Sequence, residues 1–293
     1  MGLHAVRLGA AQRGPGPRCR GCERLHCEPM ILPSASPVGW LLALGTAVAY
    51  AIPALLGSRT SEARAMGVLR LAWVLHACTL AAAWLGGAPR FGFGPALSMT
   101  AWLVMTVYAI ERQMFPQLRM RWALGVPGAV AVLLAALFPG QPLHIQASPW
   151  LPLHLALGVA SYGLFAAAVV HALLMGHAEK QMRNPAAPPG SLPLLTLERL
   201  TFRFVLAGFV LLSATLLAGW LFGDVLYGGA WKWDHKTVFS LLSWATFAVL
   251  LVGRRQFGWR GRSAANMLYA GAALLLLAYA GSRFVLEVIL SRP

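Results

Sequence analysis

The chain alternates between long apolar runs and short polar segments from about residue 38 onward. Each run is roughly 17–25 residues long, the length of a helix that crosses the hydrocarbon core of a bilayer. Backbone polar groups in lipid must be bonded within the protein, so we expect helices. The pattern predicts an all-α fold, a polytopic integral membrane helix bundle with about eight transmembrane helices. The expected spans are 38–56, 67–85, 95–111, 122–138, 150–175, 204–222, 237–253 and 264–282.

Basic residues are concentrated in alternate loops of this pattern. The odd-numbered loops carry most of the Arg and Lys residues, the fourth loop has none, and the lysines of the sixth are offset by aspartates. The positive-inside rule therefore predicts cytoplasmic odd-numbered loops. We expect a multi-pass protein of a bacterial inner membrane, with the Trp-rich sixth loop and the C-terminus in the periplasm.

Composition supports the membrane assignment. Hydrophobic residues make up 58% of the 293 residues and charged residues only 11%, whereas soluble domains are about one quarter charged. The formal net charge of +15 fits topology signals and contacts with anionic lipid head groups. We find no array of aromatic and basic residues suited to stacking bases, so the lipid bilayer, and not nucleic acid, is the expected partner of this charge.

Residues 1–29 do not follow the pattern. They contain five arginines but no apolar period, and they lack the apolar h-region of a signal peptide. We expect an unstructured extension, with Met30 as the true start and residues 30–293 as the transmembrane domain. The alternative is a metal or redox site, although a single CxxC is a weak signal. Its ligands would be Cys19, Cys22, His26 and Cys27.

The sixth loop, expected over 224–236, is the most unusual polar segment. An interfacial aromatic belt explains most tryptophans of a membrane protein. It explains Trp231 and Trp233 less well, because they flank a lysine and precede Asp234. Flat aromatic surfaces suit an apolar macrocycle such as haem, and imidazole is a standard axial ligand of haem iron. His235 is therefore a candidate ligand, with a solvated loop histidine as the alternative.

Three histidines lie within the predicted spans, where an ionisable group is a functional candidate by default. His154 is expected about one turn into its helix, at the outer face, and His76 near the middle of the second helix. Both are candidate metal ligands that could share a chamber in the outer half of the bilayer. The alternative for each is a histidine bonded to a neighbouring helix. His171 lies about 25 Å further along the helix from His154 and is expected to be an ordinary interfacial histidine.

The segment Trp231-Lys-Trp-Asp-His-Lys236 and the helix after it resemble the tryptophan-rich segment of CcsA-type cytochrome c assembly proteins. The resemblance extends over roughly residues 70–290 and is more specific in its back half. Further landmarks of that family are matched by Phe257-Gly-Trp-Arg-Gly261, by Tyr279-Ala-Gly281 and by His154 with Ser161-Tyr162.

The chain also departs from the family pattern. His235 stands where the family has Pro, and Thr237 where it has Glu. The histidines that many members carry after the Trp motif and late in the last helix are absent from 250–254 and 284–290. Two haem ligands of the family are therefore missing, and the pattern looks most like the shorter YpjD- and HemX-like branch.

The resemblance implies an all-helical membrane protein that binds haem b near the outer face. It implies that His154 is an axial ligand, that His76 is a ligand within the membrane and that His235 substitutes for a missing external histidine. It further implies haem, other cytochrome c assembly proteins and apocytochrome c as partners.

The loop residues receive roles from the same resemblance. Trp231 and Trp233 are expected to pack on the macrocycle. Lys232 and Lys236 are expected to pair with the haem propionates. Asp234 is a suitable cap for the helix that follows.

We expect no covalent catalysis, and hence no enzyme, because no Ser/His/Asp or Cys/His constellation is evident.

Two other classes of function remain open. A regulator or scaffold of haem biosynthesis or of another complex would need no haem. A small-molecule transporter would show repeated halves and midplane charges, neither of which is clear in this sequence.

Overall fold

Long helices form wherever the sequence has an apolar run. The structure is a computed structural model that describes residues 37–56, 61–85, 89–115, 121–143, 150–182, 194–223, 233–285 and 289. The helices are α1 Pro37–Leu56, α2 Glu62–Leu85, α3 Phe93–Met114, α4 Arg121–Leu137, α5 Trp150–Met182, α6 Leu194–Leu221, α7 His235–Phe257 and α8 Gly261–Leu276. The predicted extension over 1–29, Trp231 and most of the sixth loop lie outside the described residues.

The last helix does not end at Leu276. It continues through a π-helical turn, Leu277–Gly281, into the short helix Ser282–Phe284. Together these segments form one apolar span of 24 residues, Gly261–Phe284.

Seven helices are long and apolar enough to cross a membrane, and α4 is a shorter apolar helix. The prediction of an all-α, polytopic membrane helix bundle is therefore confirmed, and each of the eight predicted spans falls on one helix. The ends differ, because hydropathy marks only the part of a helix that faces lipid. α5 has 33 residues and is about 50 Å long, so it extends beyond a hydrocarbon core about 30 Å thick.

Contacts between helix ends show that successive helices run in opposite directions. Glu62, at the start of α2, pairs with Arg112 near the end of α3 at 2.8 Å, and Glu198 near the start of α6 pairs with Arg254 near the end of α7. We call the end of the bundle that holds these four residues the charged face. The opposite end, where α3, α5 and α7 begin, is the aromatic face.

α5 lies between two hydrophobic clusters. On one side Val170 and its neighbours pack against a cluster that includes Tyr50 and Tyr108. On the other side Phe165 stacks on Phe247, with ring centroids 3.8 Å apart. The middle of α5 therefore contributes to both clusters.

A two-stranded ribbon joins the second and fourth loops at the aromatic face. Strand β1, Arg90–Phe91, pairs antiparallel with β2, Gln141–Pro142. Gly140 has a φ of 76°, and a Cβ atom there would lie 2.5 Å from the Phe91 carbonyl carbon. Only glycine therefore fits this turn. Two-residue strands carry too little alternation for a sequence pattern to reveal them.

Candidate functional site

The start of α7 is fixed by Asp234. Its backbone is extended, and its Oδ1 atom accepts a hydrogen bond of 2.9 Å from the backbone N–H of Thr237. This satisfies one of the unpaired N–H groups at the helix start. The prediction that Asp234 caps the helix is therefore confirmed.

The surroundings of Asp234 favour its charged form. Partial burial acts to raise its pKa, but hydrogen bonds from the backbone and side chain of Thr237 outweigh burial, helped by the charges of Lys236 and His235. The pKa of Asp234 therefore lies below its ordinary value, and the cap is a carboxylate at neutral pH.

The other described residues of the Trp-rich segment are partly or largely exposed. Trp233 is 74% exposed, His235 is exposed and Lys236 is half-buried. They lie directly before and after the Asp234 cap, at the aromatic face. A large aromatic ring this exposed is available to a ligand, a partner or the lipid interface.

His154 lies in the first turns of α5 and points at α6. Its ring lies beside the backbone of Thr215. It also lies close to Gly219, where a Cβ atom would come within 3.4 Å of its Cε1 atom. The small residue at position 219 lets the half-buried ring lie against the backbone of the neighbouring helix.

An aromatic pair lies one helical turn from His154. Trp150 stacks on Phe222 with ring centroids 4.6 Å apart and an angle of 8° between the planes. Residues four apart share a helix face, so Trp150 and His154 lie on the same side of α5. Trp150 is 43% exposed and Trp220 is 64% exposed. The histidine, the exposed indole rings and the aromatic pair are therefore grouped at the aromatic face, at the start of α5 and the end of α6.

His76 is placed differently. It is completely buried, with Nδ1 at 3.1 Å from the hydroxyl of Tyr50 and Nε2 at 2.8 Å from the hydroxyl of Ser98. Both ring nitrogens are thus bonded to protein, on α1 and α3. Iron ligation by His76 requires one of these bonds to break, so this geometry favours a structural role.

The described contacts place the two histidines against different helices. Those of His76 are with α1 and α3, whereas those of His154 are with α6. Both the shared chamber and the role of His76 as a ligand stay predictions.

The residues around His154 fit a haem ligand. Metal-bound histidines usually donate their second ring nitrogen to a carbonyl or carboxylate, which fixes the ring, and the Thr215 backbone lies beside this ring. Large aromatic rings suit the faces of a macrocycle. Lys236 lies at the same face, and a cation is the kind of group that pairs with a propionate. The donor set at the aromatic face is therefore compatible with haem.

The charged face holds residues that the sequence did not single out. Glu198 is buried and pairs with Arg254 and, at 3.7 Å, with Arg260. Arg254 also donates to the carbonyl of Trp259 at 3.1 Å and lies 4.4 Å above the ring centroid of Phe202. The Phe257-Gly-Trp-Arg-Gly261 motif is thus the corner between α7 and α8. The sequence feature that could have revealed this site is Glu198, an acidic residue close to an apolar span.

His171 is another residue whose environment the sequence did not reveal. We expected an ordinary interfacial histidine, and this is wrong: the side chain is 3% exposed and contacts Glu111 at 3.0 Å. Sequence spacing gives the depth of a residue along one helix. It does not give the neighbour that another helix places beside it.

Together the fold and site define a polytopic membrane helix bundle with a histidine and exposed tryptophans at one face. A family model described as cytochrome C assembly protein matches residues 64–290. The inner membrane protein YpjD of Escherichia coli (strain K12) is 30% identical over 260 residues, 85% of this chain and 97% of that protein. The cytochrome c biogenesis protein CcsA of Picosynechococcus sp. is 34% identical over 99 residues, 33% of this chain and 29% of that protein. The chain belongs to the cytochrome c assembly protein family.

Proposed function

We propose that this membrane protein of the cytochrome c assembly family binds haem b at its aromatic face, with His154 as an axial ligand. The observation that carries the proposal is the setting of His154: its ring lies beside the Thr215 backbone and against Gly219, one turn from the Trp150–Phe222 pair. An imidazole positioned in this way is oriented before a ligand arrives, which lowers the cost of binding.

The Trp-rich segment completes the proposed site. Trp233 and Trp231 pack on the macrocycle, Lys236 pairs with a propionate, and Asp234 holds the segment at the start of α7. His235, exposed beside the cap, takes the place of an external ligand. When bound, haem supplies an iron that exchanges one electron; the chain itself binds and orients haem and carries out no covalent catalysis.

The proposed location follows from the charge distribution and from the relatives. YpjD is named an inner membrane protein, and the loops at the charged face are rich in arginine. We infer that the chain lies in a bacterial inner membrane with its charged face in the cytoplasm. His154 and the Trp-rich segment are then periplasmic. Apocytochrome c and other assembly proteins are the proposed partners at that face.

Haem binding is tested by reduced-minus-oxidised spectra of the full chain purified in detergent, before and after reconstitution with haem. We expect a b-type signal in the wild type that is lost in His154→Ala. A matched control is His177→Ala, since His177 is an exposed histidine on the same helix. Because both nitrogens of His76 are bonded to protein, His76→Ala should retain haem per folded molecule.

Two results would overturn the proposal. One is a wild type that takes up no haem even with haem in excess. The other is a signal equally strong in His154→Ala and His177→Ala. The first result favours the second candidate function, a regulator or scaffold that needs no haem. The two missing family histidines are the observation that supports this alternative.

A further inference from the structure

Two ionisable side chains from different helices meet inside the bundle near the charged face. Glu111 on α3 is 6% exposed and His171 on α5 is 3% exposed. Oε2 of Glu111 lies 3.0 Å from Nε2 of His171. The proposed haem site does not use this pair, which lies about 25 Å along α5 from His154. Burying two such groups is costly, and intramembrane ionisable residues are functional candidates for that reason.

One contact fixes the protonation of the imidazole ring. Nδ1 of His171 lies 2.7 Å from the carbonyl oxygen of Ala167. A carbonyl only accepts hydrogen bonds, so Nδ1 carries a hydrogen. Nε2 is therefore the atom at which the ring gains or loses a proton, and Nε2 is the atom that faces Glu111. One proton between these groups makes either imidazole with carboxylic acid or imidazolium with carboxylate. Both forms have no net charge.

The hydrogen bonding of the pair is incomplete. Among the described residues, Oε1 of Glu111 and Nε2 of His171 have no partner in hydrogen-bond geometry, although Nε2 lies 3.0 Å from Oε2. Both side chains line a small cavity that also contacts Tyr108 and aliphatic side chains of α3 and α5. The cavity has room for about one water molecule. A carboxylate oxygen and a basic nitrogen directed at such a space form a place where a proton can be bound and exchanged.

The neighbouring cation on α3 is bonded to residues other than Glu111. Arg112, the next residue on α3, is bonded to Glu62 on α2 at 2.8 Å and to the hydroxyl of Tyr108 at 3.4 Å. α6 contributes the ring of Phe204, 5.3 Å from that of His171. The basic partner of Glu111 is thus a histidine, a side chain that exists in both a neutral and a charged form.

Glu198 provides an internal comparison. It is 8% exposed and lies on the same face of the bundle, but its partners Arg254 and Arg260 keep their charge at every accessible pH. The two buried carboxylates thus differ in their basic partner, which is a histidine for Glu111 and arginine for Glu198.

We propose that Glu111 and His171 form a proton-binding site of the membrane domain. With one proton the pair is neutral. A second proton, taken from the aqueous phase at the charged face, leaves a carboxylic acid beside an imidazolium, and the pair then carries a charge of +1. No oxidant or reductant takes part. Losing the last shared proton at alkaline pH leaves a buried carboxylate without a cation.

The test is an infrared pH titration of the full chain in detergent, over the whole pH range in which the protein stays folded. The carbonyl stretch of a carboxylic acid reports each protonated carboxyl group. We expect a carboxylic acid band whose intensity or frequency changes with pH, and which is lost in Glu111→Gln but kept in Glu198→Gln. His171→Gln should move the midpoint of that band.

A second variant controls for the possibility that Glu111→Gln loses the band by misfolding. Glu111→Asp keeps a carboxyl group, so it should keep a titrating band at a shifted frequency. The proposal is wrong if the wild type and a folded Glu111→Gln variant titrate identically, or if Glu198→Gln removes the band instead. Neither the band nor its midpoint depends on bound haem. A negative result here therefore leaves the haem proposal untouched, and the reverse also holds.

Discussion

Asp234 links the Trp-rich segment to the helix that follows it. Its carboxylate accepts the N–H of Thr237 at 2.9 Å while Trp233, one residue earlier, is exposed. A single side chain therefore fixes where the loop ends and where α7 begins. The sequence was sufficient to predict this cap, because the Asp preference at a helix start depends only on local backbone geometry.

Replacing Asp234 with Ala should destabilise the protein by about 1 kcal/mol, since an N-cap is lost. Asp234→Asn is the matched control, because Asn caps about as well and lacks the charge. The measurement is thermal unfolding in detergent. Equal melting temperatures of the Ala variant and the wild type would contradict the structural role of the cap.

The cap also has a pH dependence. The pKa of Asp234 is lower in the folded protein than in the unfolded chain, so its stabilisation is fully present above the unfolded pKa. That stabilisation is lost as the pH falls through the folded pKa. In acid, therefore, the difference in stability between the wild type and Asp234→Asn should shrink.

At the scale of elements, the corner between α7 and α8 depends on close contact. Gly253 lies under the ring of Trp259, and a Cβ atom at this position would be 2.4 Å from that ring. Arg254 donates a hydrogen bond to the carbonyl of Trp259. The Phe257-Gly-Trp-Arg-Gly261 motif, noted in the sequence as a family landmark, is explained by this packing.

Gly253→Ala should therefore destabilise the protein by about 1–3 kcal/mol through overpacking. Gly176→Ala on α5 is the control, since no atom lies within 4 Å of its added Cβ. There the loss of a flexible residue from a helix should stabilise by up to about 1 kcal/mol. Thermal unfolding of the two variants in the same detergent gives the comparison, and the same sign of change in both would contradict this account of the corner.

Pairings between elements were the part of the structure that the sequence did not reveal. Apolar length predicted each helix, because the requirement acts on one segment at a time. The partner of Glu111, the two bonds of His76 and the ribbon between β1 and β2 depend on which helices become neighbours, and no repeat or spacing encodes this. The setting of His154 was partly predictable: its depth follows from residue counting, but its contact with Gly219 does not.

At the scale of the whole molecule, the two faces differ in their chemistry. Within the described residues, the ion pairs Glu62–Arg112 and Glu198–Arg254 lie at the charged face, whereas Trp150 and Trp233 lie at the aromatic face. Antiparallel helix order requires that odd-numbered loops share one face and even-numbered loops the other. The contacts establish this grouping, and the positive-inside rule then selects the orientation.

That orientation is tested with single cysteines. In a background in which Cys19, Cys22, Cys27 and Cys78 are replaced, Trp233→Cys and Arg262→Cys each place a thiol at an exposed position on opposite faces. A membrane-impermeant maleimide should label Trp233→Cys in intact spheroplasts and Arg262→Cys only after permeabilisation.

The reverse labelling pattern would place His154 and the Trp-rich segment on the cytoplasmic side. Haem bound there would not be accessible to a periplasmic apocytochrome. The haem site itself would survive such a result, because the spectra do not depend on orientation, but the proposed partner would not. Labelling and spectra together therefore separate what the protein binds from where it presents it.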